Sequence, residues 1–324
     1  MLRYTLYILL LATVVAGCKK DTLHYKKVEK LDTHTDSRLN AILFTSHSRG
    51  FVVGGTRFDK ATILTTDDGG TTWNLHDMKE AGKALYGITQ APNGYLYTVG
   101  FDGKLLWSNN EGYSWNFTQL SNWQSYKDIA FSDATHGMGI MGVSYNSGGI
   151  AHMTETGSIY KYDSVAIEYN DIEMLTPAIG FITGYGVVLK TTDSGRTWQT
   201  LNIQNDNFKS ITALNQYELW VCGNNGGIFH TINAGKDWQQ LRNGNDITIP
   251  RYNLNDILFK DGEHGWAVGD KGVVIYTNDG GKHWMEYDRF TNEDIYCIAE
   301  APDHNLIVSG ANGILYKLYI DKQY

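Results

Sequence analysis

Lys190-Thr-Thr-Asp-Ser-Gly-Arg-Thr-Trp198 is the stretch whose reading decides the fold, because relatives of it return along the chain. Thr66-x-Asp68-x-Gly70-x-Thr72-Trp73 and Thr277-x-Asp279-x-Gly281-x-His283-Trp284 keep its pattern. Ser108-x-Asn110-x-Gly112-x-Ser114-Trp115 and Thr231-x-Asn233-x-Gly235-x-Asp237-Trp238 replace the Asp by Asn. A turn set that recurs in this way marks a repeat architecture. The Asp or Asn accepts hydrogen bonds from amides of its own turn. The Gly supplies a backbone angle that side chains forbid, and the Trp offers a large face to bury. Asp68, Trp73, Asn110, Trp115, Asp193, Trp198, Asn233, Trp238, Asp279 and Trp284 are therefore read as structural. One carboxylate per box, spread around a ring and twice replaced by Asn, makes neither a calcium site nor a catalytic one.

A second ladder runs through Ile42, Ile88, Ile129, Ile172, Ile211, Ile257 and Ile298, spaced 39 to 46 residues apart. Each Ile sits in an apolar run, and a glycine closes another run twelve or thirteen residues later. Runs of four to seven residues bounded by Gly, Asn or Asp read as strands. Four strands in about 40–45 residues is the size of a propeller blade. The predicted fold is all-β, a seven-bladed β-propeller of four-stranded antiparallel blades. The seventh unit runs out of chain before its fourth strand, and Tyr25-x-x-Val28 matches the Trp-plus-three spacing of the boxes. Tyr25–Leu31 is thus expected to close the ring. The third unit is irregular, with Tyr160 at the Trp position and an insertion from Gly142 to Gly149.

Composition fits this reading and narrows function. Gly is abundant at 35, Pro scarce at 4, and aromatics make up 13%. The net charge of -8 argues against nucleic acid as a partner. The apolar run Tyr4–Ala16, too short to span a bilayer, reads as an export signal. It ends Val15-Ala16-Gly17-Cys18 before Lys19-Lys20, which looks like a bacterial lipobox with Cys18 as the lipid attachment site. The expected organisation is a signal peptide over 1–17, a lipidated tether over 18–24 and the propeller over 25–324. The protein is expected on the periplasmic side or outer surface of the cell envelope, as a monomer. Cys222 and Cys297 fall in different repeats and read as buried free thiols. His136 and His264 read as turn residues. No metal or other cofactor is implied.

Together these units resemble the Asp-box (BNR) propellers. The unit Phe259-x-Asp-x-x-His-Gly-Trp-Ala-Val-Gly-x-x-Gly272 followed by Thr-Asn-Asp-Gly-Gly-x-x-Trp284 is most similar to the photosystem II stability/assembly factor family, over residues 25 to 320. That resemblance implies a propeller that binds a client membrane protein through a basic patch on one face. The acidic chain departs from it: of its arginines, only Arg57, Arg251 and Arg289 are expected on one set of loops. In a four-stranded meander the strand two–three turns and the blade-to-blade loops share a face, opposite the boxes. Arg57, Trp123, Tyr126, Phe208, Arg251, Tyr252, Arg289 and Phe290 are accordingly the candidate binding residues, for a protein client or a glycan. No sialidase-type arginine set or paired carboxylates stand out. The expected function is a non-catalytic, lipid-anchored scaffold; the alternative is an Asp-box glycosidase or glycan-binding lipoprotein.

Overall fold

The computed structural model describes residues 22–320, so the expected signal segment and Cys18 lie outside the described residues. Seven antiparallel sheets follow one another in chain order. Their innermost strands are Arg38–Phe44, Leu85–Gln90, Tyr126–Phe131, Tyr169–Met174, Phe208–Ala213, Leu254–Phe259 and Ile295–Glu300. Each contacts the innermost strand of the next blade, and the last contacts the first, so they surround a central channel. Second strands such as Phe181 to Gly184 in Gly180–Gly184 are buried on both faces. That is why the glycine-closed runs are apolar throughout and do not alternate.

The core is divided among the joints between blades. Seven separate apolar clusters occur, each shared by two adjacent blades. Leu39, Val52 and Leu64 of blade 1 pack on Ile307 and Leu315 of blade 7, with Leu31 added from the N-terminal segment. A ring built only from joints has no spare blade, so closure carries the same weight as any other contact. Lys27–Lys30 supplies it, pairing antiparallel with the last strand, Leu315–Tyr319. Tyr25 stacks on Tyr287 at 4.3 Å. The tether expected over 18–24 gains order at its end: Thr22–Leu23 pairs in parallel with Met285–Tyr287 and makes blade 6 five-stranded.

The boxes do what their residue types require. Thr72 N and Oγ1 donate to Asp68 at 2.9 and 2.6 Å, and Gly70 N donates to Thr66 Oγ1 at 3.0 Å. Asn110 reproduces this with Ser108 and Ser114. Gly281 adopts φ +94°, and a Cβ there would lie 2.6 Å from Leu241 of the preceding blade. The box glycine therefore serves both the turn and the joint. Trp73, Trp115, Trp198, Trp238 and Trp284 each pack into the cluster shared with the preceding blade. Blade 3 is complete despite its altered box, and its insertion lengthens the hairpin between Gly137–Ser144 and Ser147–Met153.

Candidate functional site: a cationic crown at the channel mouth

One irregularity repeats in every blade. The pairing of the innermost strand with its neighbour slips by one residue at the same place each time. The skipped residues are Asn40, Tyr86, Lys127, Asn170, Lys209, Asn255 and Tyr296. A β-bulge leaves its extra residue out of the ladder and re-aims its side chain. All seven side chains line one cavity of about 420 Å³ at the channel mouth, joined by Arg38 and Arg57. Gly55 and Gly142 from the ends of second strands and Ala84 and Ser125 from blade-to-blade loops complete much of the wall, so this is the long-loop face.

The seven divide into two kinds. Asn40, Asn170 and Asn255 each donate an amide hydrogen to a carbonyl of the next blade: Leu85 O at 2.7 Å, Phe208 O at 2.8 Å and Ile295 O at 2.8 Å. They staple the ring. The rest present charge and aromatic surface. Arg38 donates to Asn40 Oδ1 at 2.9 Å while its guanidinium lies 3.7 Å over the Tyr296 ring. Arg57 lies over Phe101 at 4.7 Å. Lys209 donates to Asn170 Oδ1 at 3.2 Å, and partial burial holds its amine below the usual lysine range. Lys127 reaches the buried Glu168 at 3.3 Å. Among the described residues, four cations and no carboxylate line the mouth.

Acidic groups lie one layer deeper. An innermost strand has an open edge toward the channel, whose N–H groups need partners. Asp128 accepts Ile172 N at 3.3 Å, Asp171 accepts Ile211 N at 2.9 Å, and Asp256 accepts Ile298 N at 2.9 Å. Each partner is the ladder isoleucine of the following blade. Ser210 Oγ also donates to Asp256 at 2.7 Å. Removal from bulk water raises all three carboxyls, Asp171 to about 6, and the nearby Asp171 charge raises Asp128 further. These carboxylates are committed to closing edges. Cys297 lies in this layer beside Asp256 and is only half-buried, whereas Cys222 is buried in a joint; both are free thiols.

The residues nominated from sequence do not converge. Arg57 reaches the crown. Arg251 and Tyr252 line a neighbouring cleft with Asp270 and Lys271. Arg289 is engaged by Glu286 at 2.8 Å, and Phe290 packs edge-on to Tyr25. Trp123 stands exposed with Lys104 over its ring at 5.5 Å. Tyr126 and Phe208 are corrections: both are fully buried and offer no contact surface. They occupy the position just before the bulge, which in every blade points into a joint. Arg38, Lys127 and Lys209 were missed, although a signal existed. Two residues before each ladder isoleucine the sequence reads Asn, Tyr, Lys, Asn, Lys, Asn, Tyr, with no aliphatic residue. His136 and His264 bond to Asp133 and Asp261 of their own turns, at 2.8 and 3.0 Å. No group of three metal-ligating side chains occurs among the described residues.

Fold and site together define a seven-bladed Asp-box propeller with a cationic, aromatic channel mouth. The sequence profile of the family described as photosynthesis system II assembly factor YCF48 matches residues 20–160, 158–250 and 244–305. The chain belongs to that family. Among solved structures it is similar to YCF48 bound to D1 peptide, at 19% identity and a TM-score of 0.71, covering 93% of this chain and 98% of that one. YCF48 from Cyanidioschyzon merolae gives 18%, 0.69, 90% and 98%. The WD40 propeller domain of Doa1 gives 11%, 0.68, 91% and 96%, so likeness at this level reports the fold alone. A comparison with curated proteins finds no match.

Proposed function

We infer that the chain is a non-catalytic scaffold of the bacterial cell envelope, tethered by a lipid on Cys18, that holds an acidic segment of a client protein against the crown. The observation that carries this is the concentration of Arg38, Arg57, Lys127 and Lys209 in one carboxylate-free cavity of a chain with net charge -8. Focusing one sign of charge in a concave site steers an oppositely charged segment. Tyr86 and Tyr296 beside the cations add the aromatic contact typical of protein recognition. Solved YCF48 bound to D1 peptide supports a protein client for a propeller of this family. The non-catalytic reading is supported by Asp128, Asp171 and Asp256, each of which accepts a backbone amide of the following blade. A ring that closes on its own N-terminal strand needs no second copy.

The test is a photo-crosslinker placed at Tyr86, with a control at Ile232 on the box face. Crosslinks to a client from Tyr86 alone, lost in the Arg38→Ala/Lys209→Ala variant and weakened by salt, are expected. Crosslinks that ignore both charge removal and salt would sink the crown as the docking site. For the tether, Cys18→Ala should move the protein from the membrane to the soluble fraction; an unchanged fraction would refute lipidation.

A further inference from the structure

The insertion in blade 3 gives the crown Gly142 and Val143, and beyond them it builds a second site on the same face. Its hairpin carries Tyr145 near the tip, 58% exposed. The corresponding hairpin of blade 4 carries Tyr185, 49% exposed, and the two rings stand 4.7 Å apart with their planes inclined by 39°. Both rings face solvent while in contact with each other. Their placement is fixed from below by one residue. Glu168 N donates to Tyr145 O at 3.3 Å, and Tyr185 N donates to Glu168 O at 2.9 Å.

The tyrosine pair walls one end of a cleft of about 610 Å³, within the range of small-molecule sites. Its remaining lining is almost wholly amide: Gln204, Asn205, Asn207, Asn224 and Asn225, with Asp206. The loops bearing them are tied together. Gly186 N donates to Asp206 O at 2.9 Å, Asn224 N to Asn207 O at 3.1 Å, and Asn225 N to Asp206 Oδ1 at 3.0 Å. Asn207 is only 5% exposed; its Oδ1 accepts from Asn170 at 2.7 Å, while its Nδ2 has no partner. A buried donor without an acceptor is costly unless something supplies one. The cleft therefore holds a preset pair of rings beside an amide wall, with one unpaired donor buried beneath it.

We propose that this cleft between blades 3, 4 and 5 is a carbohydrate-binding site for a neutral oligosaccharide. A pyranose ring presents an apolar C–H face and a rim of hydroxyls, each both donor and acceptor. Tyr145 and Tyr185 offer faces for the first, and side-chain amides, which also donate and accept, match the second. An anionic ligand would want an Arg or Lys, and none lines the cleft. An apolar ligand would strand the amides of Gln204, Asn205, Asn224 and Asn225. The site adjoins the crown across the Asn170–Asn207 bond but shares no lining residue with it, and the proposal does not rest on the client-binding reading.

Titration calorimetry of the full mature chain with maltotetraose, cellotetraose and tetra-N-acetylchitotetraose tests it, with tetragalacturonate as the charged arm. At least one neutral tetrasaccharide should bind, and Tyr145→Ala/Tyr185→Ala should weaken it about tenfold or more, the scale of lost ring contacts. Arg38→Ala/Arg57→Ala should leave that affinity unchanged while abolishing client crosslinking, which separates the two sites. Binding of none of the neutral sugars, binding of tetragalacturonate alone, or neutral binding that survives loss of both tyrosines would overturn the proposal. So would a tyrosine variant that loses the crosslinked client in a protein that binds no sugar, since the cleft would then be a peptide subsite.

Discussion

Glu173 gives the fold a pH dependence that a single substitution should remove. It follows Asp171 by two residues in Tyr169–Met174, so both carboxyls face the channel side of the strand. One oxygen of Glu173 has no partner, and burial together with the neighbouring Asp171 raises its pKa to about 8. In the unfolded chain the same group releases its proton near 4.5. Between these values the folded state binds more protons than the unfolded one, so this group's contribution falls as pH rises from about 4.5 to about 8, and is constant above. At about 1.4 kcal/mol per pH unit of separation, the charged form costs the fold up to about 5 kcal/mol. That is a ceiling, because Glu173 borders a channel and water relaxes around it.

Glu173→Gln keeps the shape of the protonated side chain and abolishes the titration. Thermal unfolding of both proteins from pH 4.5 to 9 is the assay, and the difference between their Tm values cancels the other titrating groups to first order. At roughly 2 °C per kcal/mol for a chain of this size, the variant should gain on the order of 4–10 °C over the wild type between the ends of that range. Parallel profiles would show that Glu173 is solvated like a surface carboxylate. A gap that widens toward acid would reverse the sign and refute the reasoning outright.

Gly195 sits at φ +78° where a Cβ would overlap Met138 Sδ, whereas Gly94, at φ +83°, has open space around it. Gly94→Ala should cost about 1 kcal/mol for its backbone angle, and Gly195→Ala a further 1–3 kcal/mol for the clash, read by denaturant unfolding. Asp68→Ala removes two amide bonds of 2.9 Å and the Thr72 hydroxyl bond, and should destabilise by about 1–3 kcal/mol. Those bonds hold the Asp68 carboxyl at about 2, so the stabilisation is present above its unfolded value of 3.8 and disappears as pH falls through about 2. Removing residues 1–31 takes away the outer strand of blade 7 and Leu31 from the joint with blade 1. Limited proteolysis should then cleave blades 7 and 1 first; an unchanged pattern would show that the ring does not depend on that strand.

The fold was legible because two independent columns of the repeat, the box and the isoleucine ladder, keep their spacing whatever surrounds them. Tyr25 could be matched to the box tryptophans for the same reason, and the closing strand followed. The site was less legible. Tyr126 and Phe208 look like loop aromatics when each is read in its own neighbourhood. Set in the repeat, they share a column with Leu39, Leu85, Tyr169, Leu254 and Ile295, all buried. The crown was hidden by a different cause. A bulge adds one residue to the inner strand of every blade alike, so no change in spacing marks it. Arg38, Lys127 and Lys209 then count as scattered charges in an acidic chain. Only the topology, which brings seven equivalent positions to one axis, gathers them. Tyr145 and Tyr185 lie on neighbouring hairpins 40 residues apart in sequence, and no local pattern links them.

The bulge also explains how a rigid ring can carry a variable site. The residue it expels takes no part in the strand ladder, so its side chain can change without breaking a backbone pair. Three of the seven positions are spent on Asn staples to the next blade. The remaining four, Tyr86, Lys127, Lys209 and Tyr296, face the mouth. Beneath them the open strand edges are closed by Asp128, Asp171 and Asp256. Stability therefore resides in the joints, staples and edge caps, and the proposed recognition in the expelled side chains. Arg57→Ala, at an exposed crown position, should accordingly reduce client capture while leaving Tm nearly unchanged, whereas Asn255→Ala, which loses the 2.8 Å bond to Ile295 O, should lower Tm. If the Arg57 variant unfolded as readily as the Asn255 variant, crown and scaffold would not be separable, and the client would have to be read by some other surface.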